Sequence, residues 1–182
     1  MTAGSMPEES PSIGSGPVAV VVGAPGAGKT TIGRRLASEL GVDFCDTDEA
    51  IAAEAGKSIP DIFIEDGEEE FRRRECEVVL AALANESGVV SLGGGAVTSD
   101  AIRQALGGLR VIWLRVSVSQ AAARVGLTGA RPLLMGNVRG RLVTLLEERT
   151  PLYEEVADVI VDTDGRSPAQ IVDEIRGQWV AS

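Results

Sequence analysis

Apolar runs rich in β-branched residues recur along the chain and predict five strands: VAVVVG, VDFCDTD, GVVSLGGG, RVIWLRV and DVIVDT. The first run is apolar without interruption, which is typical of a strand buried on both faces of a sheet. The second run ends in acidic residues, and the third runs into three glycines. The first three predicted strands are therefore each followed by residues suited to ligand binding.

Eight segments between or after these runs predict helices: TIGRRLASELG, DEAIAAEAG, SIPDIFIEDG, EEEFRRRECEVVLAALAN, SDAIRQALGG, SVSQAAARVG, VRGRLVTLLEERTPLYEEV and SPAQIVDEIRGQW. Ser117 and Gln120 have the spacing of a capping box, as do Ser167 and Gln170. Pro151 is expected to break or bend the helix that contains it.

This alternation of strands and helices predicts an α/β fold, with a mainly parallel sheet covered by helices on both faces. Ligands of such sheets bind at the carboxyl ends of the strands. With 182 residues, the chain suits one domain. Residues 1–17 are rich in Ser, Gly, Pro and Glu and predict a disordered tail, in which Met6 is an alternative start. Residues 18–182 then form the single domain.

Composition argues against several classes of function. A net charge of −10 and an aromatic content of 3% disfavour a nucleic-acid partner. No apolar run approaches the ~20 residues of a membrane span, and the N-terminus lacks a secretory signal, so a cytoplasmic location is expected. Cys45 and Cys76 are far apart and the chain has no His, which disfavours a zinc site and a His-based triad. Nothing indicates an obligate partner, and a monomer is expected.

The first predicted strand leads into the full P-loop pattern, from Gly23 through Gly28 to Lys29 and Thr30. In this pattern, glycines let backbone N–H groups surround phosphate oxygens, and the helix that follows adds its positive N-terminal end. Lys29 can reach the β and γ phosphates, and the Thr30 hydroxyl can ligate Mg²⁺. The pattern predicts a site for a nucleoside triphosphate.

Asp46 and Asp48 end the second predicted strand, where alternation puts both side chains on the same side of an extended backbone. One carboxylate can hold Mg²⁺, and the other can accept a hydrogen bond from an attacking substrate hydroxyl. The alternative is a solvated strand end or a helix cap, with Asp48 at the start of the next helix.

Glycines and arginines supply further candidates. The run from Gly93 to Gly95 allows a ligand to approach the main chain, although a flexible turn is the alternative. The run from Arg72 to Arg74 cannot place all three side chains on one helix face, so at most one is expected to grip a carboxylate. Arg131 lies in a Gly/Pro-punctuated loop, where it can act as a lid residue. Arg149 lies near the end of its predicted helix.

Several P-loop classes do not fit this chain. The Asn-Lys-x-Asp segment of GTP switches is absent from the sequence, and the chain is short for a motor or large ATPase. Small phosphoryl-transfer kinases remain, and a non-catalytic nucleotide-binding sensor is the alternative from another class. The intact residues Lys29, Thr30, Asp48 and Arg131 argue against a sensor.

Six segments, taken together, resemble shikimate kinases, most of all the actinobacterial members: GAPGAGKTTIGRRLA, DTD, SIPDIFIEDGEEEFRRRE, SLGGGAVT, RPLL and ERTPLYEEVAD. The resemblance runs from Val18 almost to the C-terminus. It implies a P-loop kinase fold with the nucleoside-monophosphate-kinase-like strand order 2-3-1-4-5. It implies that ATP, with Mg²⁺, phosphorylates the 3-hydroxyl of shikimate. A substrate-binding region at about 47–76 and a lid at about 126–138 follow from it.

The resemblance also assigns roles to residues. It implies that the nucleotide contacts Gly26, Ala27, Gly28, Lys29, Thr30, Thr31, Arg124, Arg131, Arg166 and Pro168. It implies that shikimate contacts Asp48, Arg72, Gly93, Gly94, Gly95 and Arg149, with Glu75 orienting Arg72. The resemblance implies that Thr30 and Asp46 bind the metal ion. It implies that Asp48, Lys29 and Arg131 act in catalysis.

Two features differ from the usual pattern of the family. Thr30 stands where serine is common, with the same hydroxyl chemistry, and the segment from Arg131 to Arg149 is about one residue short. A kinase of another small hydroxy or sugar acid, such as gluconate, is the alternative substrate assignment. A nucleoside monophosphate kinase would need a second base-binding surface, for which the sequence has no signal.

Overall fold

A parallel sheet of five strands forms the centre of the computed structural model, which describes residues 16–128 and 137–180. The strand order is β2-β3-β1-β4-β5, as the sequence analysis predicted. The strands are β1 (Ala19–Val22), β2 (Phe44–Asp46), β3 (Val89–Ser91), β4 (Val111–Arg115) and β5 (Val159–Asp162). All five coincide with the predicted apolar runs.

Helices connect these strands, and each of the eight predicted helical segments is a helix in the structure. They are α1 (Lys29–Leu40), α2 (Thr47–Ala55), α3 (Ile59–Glu65), α4 (Glu68–Asn85), α5 (Asp100–Leu106), α6 (Val118–Thr128), α7 (Val138–Val156) and α8 (Pro168–Val180). The predicted capping box at Ser167 forms in full: Ser167 Oγ accepts from the Gln170 N–H at 3.3 Å, and Gln170 Oε1 accepts from the Ser167 N–H at 2.9 Å. At Ser117 only half of the box forms: Ser117 Oγ accepts from the Gln120 N–H at 3.2 Å, while the Ser117 N–H donates to Asp164 Oδ1.

The β1 strand is buried on both faces, which explains its uninterrupted apolar sequence. Ala19 and Val21 pack into a core formed with α1, α6 and α8. Val20 and Val22 face the opposite way, into a core formed with α4, α5 and α7. The sheet is therefore covered on both sides, and the carboxyl ends of its strands are left as the edge where loops meet.

A third, smaller core joins α2, α3 and α4. Ile51, Ile62 and Phe71 are its buried residues, and the Phe63 and Phe71 rings lie 4.5 Å apart between centroids. This cluster connects the helix that follows β2 with the helix that carries the three consecutive arginines.

The α7 helix continues through Pro151, so the expected break does not occur. Proline removes one backbone hydrogen bond from a helix interior, which weakens the helix locally. Here Leu142 before the proline and Tyr153 after it are both fully buried. Tertiary packing on both sides of Pro151 therefore holds the helix together.

Some predictions fall outside the described residues. These include Arg131, most of the lid predicted at about 126–138, and most of the tail predicted at 1–17. Within 16–128 and 137–180, none of the helices combines the length and the apolar character that crossing a membrane requires.

Candidate active site

The P-loop forms the connection between β1 and α1. Gly26 and Gly28 have φ angles of 81° and 89°, in the left-handed region that other residues rarely adopt. A Cβ atom at Gly26 would also lie 2.9 Å from the Ala121 carbonyl oxygen. The α1 helix begins at Lys29, so its N-terminal N–H groups adjoin the loop, as an anion site requires.

Lys29 is only 8% exposed, although it carries a charge. Its Nζ donates a hydrogen bond to the Ala24 carbonyl oxygen at 3.1 Å. A buried ammonium must be paired or hydrogen-bonded to offset its loss of hydration. The loop therefore holds the charge next to the place where the glycines would receive phosphate.

Thr30 and Asp46 form a direct pair, since the Thr30 hydroxyl donates to Asp46 Oδ2 at 2.6 Å. The other carboxylate oxygen, Oδ1, accepts from the N–H groups of Asp48 at 3.0 Å and Glu49 at 3.3 Å. One hydroxyl and one carboxylate are the hard oxygen ligands that Mg²⁺ uses beside substrate phosphates and water. The residues present therefore fit a magnesium ion.

The predicted extended geometry holds for Asp46 and is wrong for Asp48. The β2 strand ends at Asp46, which caps α2, and Asp48 lies in the first turn of that helix. The helix cap forms in preference to a longer strand because the Asp46 carboxylate accepts hydrogen bonds from N–H groups in the first turn of α2, which would otherwise lack a partner. A helix does begin in this segment, as the alternative proposed, but its cap is Asp46 rather than Asp48. Both acids still line the same cavity.

A cavity of about 270 Å³ opens between the P-loop and the carboxyl edge of the sheet. Its wall contains many of the predicted nucleotide and metal residues, together with three that the sequence analysis did not name, Ser91, Leu92 and Val125. The predicted residues in the wall are Gly26, Gly28, Lys29, Thr30, Thr31, Asp46, Asp48 and Arg124.

Two of the three glycines after β3, Gly93 and Gly95, are packed against charged side chains, and Gly94 lies against Pro25 of the P-loop. A Cβ atom at Gly93 would lie 2.6 Å from Asp48 Oδ1 and 2.9 Å from Glu75 Oε1, and one at Gly95 would overlap the Arg72 guanidinium. Such distances exclude larger residues unless the charged groups move. The glycines therefore bring the main chain, Asp48, Arg72 and Glu75 together, and the flexible-turn alternative is not needed.

Among the three consecutive arginines, Arg72 is the one that faces this cluster. Its Nη1 donates to Glu75 Oε2 at 2.5 Å, and Glu75 is 3% exposed. Burial raises the pKa of the Glu75 carboxyl, while the charges of Arg72 and Arg149 act in the opposite direction. Arg73 instead lies at the surface, in ion pairs with glutamates of its own helix.

Tyr153 is a residue of this cluster to which the sequence analysis gave no role. Its side chain is fully buried, and its hydroxyl donates to the Gly94 carbonyl oxygen at 2.6 Å. Burial raises the pKa of Tyr153 to about 12, while the positive charge of Arg149, one helical turn earlier, acts in the opposite direction. The available signal was the single tyrosine of the chain, inside the quoted ERTPLYEEVAD segment.

Two further arginines predicted to contact the nucleotide, Arg124 and Arg166, lie in different settings. Arg124 Nη1 donates to the Gly26 carbonyl oxygen at 2.9 Å, and Arg124 lines the cavity. Arg166 lies between β5 and α8, where it donates to the carbonyl oxygens of Asp162 and Gln170. Arg166 and Pro168, the first residue of α8, are outside the wall of the cavity.

Comparisons with known proteins agree with this geometry. The family model described as shikimate kinase matches residues 25–179. A shikimate kinase of Thermobifida fusca is 53% identical over 168 residues, which cover 92% of this chain and 98% of the relative. A shikimate kinase of Mycobacterium marinum is 54% identical over 157 residues, covering 86% of this chain and 85% of that one.

A solved structure extends the likeness to three dimensions. The shikimate kinase from Acinetobacter baumannii in complex with shikimate has a TM-score of 0.87 and 36% identity, over 91% of this chain and 93% of that chain. The P-loop kinase fold, the resemblance to shikimate kinases and its actinobacterial character are confirmed. The chain belongs to the shikimate kinase family.

Proposed function

We propose that this chain transfers the γ-phosphoryl group of ATP to the 3-hydroxyl of shikimate, giving shikimate 3-phosphate. The position of Asp48 carries this proposal. Asp48 lines the P-loop cavity and also lies beside Gly93 and Glu75, so it belongs to both a phosphate site and an arginine-containing cluster. A phosphoryl-transfer enzyme needs its donor and acceptor sites to meet at one such point.

On the phosphate side, the P-loop N–H groups and Lys29 would bind the β and γ phosphates. Thr30 and Asp46 would hold Mg²⁺, which neutralises phosphate charge when bound. Phosphoryl transfer involves little covalent work by the protein, so fixed positive charge and positioning supply most of the rate enhancement. The burial of Lys29 supports this role, because a charge acts more strongly when water is excluded.

On the acceptor side, Arg72 and Arg149 would bind the carboxylate of shikimate, and Gly93, Gly94 and Gly95 would contact it through the backbone. Planar guanidinium groups suit a carboxylate, since they can donate two parallel hydrogen bonds. Asp48 would accept a hydrogen bond from the attacking hydroxyl. Glu75 would hold Arg72 in place through the ion pair described above.

The remaining assignments are part of the same proposal. Arg131 would cover the transferring phosphate from a lid at about 126–138, while Arg124, Arg166, Pro168 and Ala27 would contribute to the nucleotide site. Residues 18–182 would form one domain with a substrate-binding region at about 47–76, preceded by a tail. The chain would act in the cytoplasm as a monomer.

A coupled assay of ADP release tests this function. We expect ATP turnover that depends on shikimate, with little or none when gluconate or a nucleoside monophosphate replaces it. Turnover with gluconate alone would favour the alternative sugar-acid kinase. ATP binding without turnover on any acceptor would favour the nucleotide-binding sensor, and either result would contradict the proposal.

Arg72→Lys is expected to raise the KM for shikimate about tenfold with little change in the KM for ATP. The lysine ammonium cannot donate two parallel hydrogen bonds to a carboxylate as a guanidinium does. A hydrogen bond to a charged group contributes roughly 1.5–3 kcal/mol, so the loss of one weakens substrate binding measurably. Steady-state kinetics with each substrate varied in turn would measure both constants.

Arg73→Lys is the matched control for this variant, because it makes the same chemical change one position along the same helix. Arg73 has an exposed side chain, and its surface ion pairs contribute little. Its KM for shikimate should remain that of the parent. Equal effects of the two substitutions would remove Arg72 from the proposed substrate site.

A further inference from the structure

The Tyr153 phenol joins two parts of the proposed substrate site that are far apart in sequence. Its hydroxyl donates to the carbonyl oxygen of Gly94, which lies 59 positions earlier in the chain. Arg149, in the preceding turn of α7, lies close enough to the same phenol for its positive charge to lower the pKa of Tyr153. One buried hydroxyl therefore binds the glycine backbone and lies next to the arginine that we assign to the carboxylate.

The ring of Tyr153 has little freedom to move. The residue is 0% exposed, and its ring stacks on Trp113 of β4, with centroids 5.7 Å apart and an angle of 24° between the planes. Trp113 is itself buried in the central sheet. The hydroxyl is thus held on a rigid support, which is what precise placement of a binding site requires.

The hydroxyl can serve both neighbours at once. A phenol has one O–H to donate and lone pairs to accept, so donation to Gly94 and acceptance from Arg149 are compatible. The peptide bond between Gly94 and Gly95 is planar and trans, as are the other peptide bonds of the described residues. Holding the Gly94 carbonyl therefore also sets the direction of the Gly95 N–H.

We propose that Tyr153 is a positioning residue, which holds Arg149 and the peptide between Gly94 and Gly95 in the geometry that binds the carboxylate of the acceptor. The inference rests on the proposed function, because it assigns Arg149 and these glycines to shikimate. It makes Tyr153 a determinant of acceptor binding rather than only a part of the core.

Tyr153→Phe is the direct test, since it removes the hydroxyl and keeps the stacked ring. We expect the KM for shikimate to rise about tenfold and the KM for ATP to stay near that of the parent, because the lost hydroxyl binds the Gly94 carbonyl and lies beside Arg149, both on the acceptor side. An unchanged KM for shikimate, or an equal rise in both constants, would overturn the inference.

Ile102→Val is the matched structural control, because Ile102 is fully buried in the same core and loses only one methylene group. It should lower the melting temperature without changing the ratio of the two KM values. If Ile102→Val changed that ratio as Tyr153→Phe does, general loosening of the core would explain the effect and the positioning role would fail.

A double-mutant cycle separates positioning of Arg149 from an independent effect. In an Arg149→Gln background, the added penalty of Tyr153→Phe on the shikimate KM should be smaller than in the parent, because part of its action is already lost. If the two substitutions raised the shikimate KM by factors that simply multiply in the double variant, Tyr153 would not act through Arg149, and that part of the inference would be overturned.

A measurement on the unaltered protein avoids any question of folding. Tyr153 is the single tyrosine of the chain, so labelling tyrosine with ¹³C at the ring carbon that bears the hydroxyl gives one resonance. We expect this resonance to shift on addition of shikimate and not on addition of ADP. No shift at saturating shikimate would overturn the inference, whereas absence of shikimate-dependent turnover in the parent enzyme would instead overturn the proposed function.

Discussion

Asp48→Asn is expected to lower kcat by about a hundred- to ten-thousandfold while ADP binding stays unchanged. The amide keeps the size of the side chain but loses the negative charge that would accept the proton or orient the acceptor hydroxyl. The side chain lies where the cavity meets Gly93, so the loss falls on the reacting groups. The coupled assay gives kcat, and calorimetry gives the affinity for ADP.

Glu49→Gln is the control for Asp48→Asn, since it removes a carboxylate charge from the next residue of the same helix. Glu49 is exposed and pairs with Arg34 at the surface. Its kcat should match that of the parent. Near-normal turnover of Asp48→Asn would deny Asp48 its role, and an equal loss in both variants would point to general damage in α2.

Lys29→Met is expected to lower kcat/KM for ATP by about a hundred- to thousandfold. Lys29 would bind the transferring phosphoryl group more strongly as charge develops, and loss of one such preorganised donor in an enzyme has an effect of this size. Methionine is close to lysine in length and suits a site that is 8% exposed, so the fold should persist. Steady-state kinetics and a thermal melt would measure the two effects.

The other lysine of the chain supplies the control. Lys57 pairs with Glu65 and Asp66 at the surface, so Lys57→Met removes the same charge far along the chain from the P-loop. Its kcat/KM for ATP should remain that of the parent. If Lys29→Met retained parental kcat/KM, the electrostatic role of Lys29 in the proposed mechanism would be wrong.

Secondary structure and topology were accessible to sequence reasoning because their signals are local. The five apolar runs and the capping pairs lie within short windows, and each window coincides with an element of the structure. The P-loop is equally local, since its glycines, lysine and hydroxyl come from one turn and the start of one helix. Strand order required the family resemblance, because no short window specifies which strands pair.

The site was predicted less completely than the fold. Asp46 and Asp48 were both expected on a strand. The chain instead turns into a helix after Asp46, because Asp46 Oδ1 accepts hydrogen bonds from the N–H groups of Asp48 and Glu49. The sequence of the arginine run does not by itself indicate that Arg72, rather than Arg73, faces the site. That choice depends on the buried position of Glu75, which a charge pattern does not reveal.

The sequence by itself determined the α/β order of elements, the P-loop and the residue types suited to a phosphate and a carboxylate, because these follow from periodicity and turn chemistry over short stretches. The tertiary structure alone decided that Asp48, Glu75, Arg72 and the glycines share one cluster, and that Tyr153 contacts Gly94 across 59 positions. The physical reason is that such contacts arise only when separate elements pack on the two faces and one edge of the sheet.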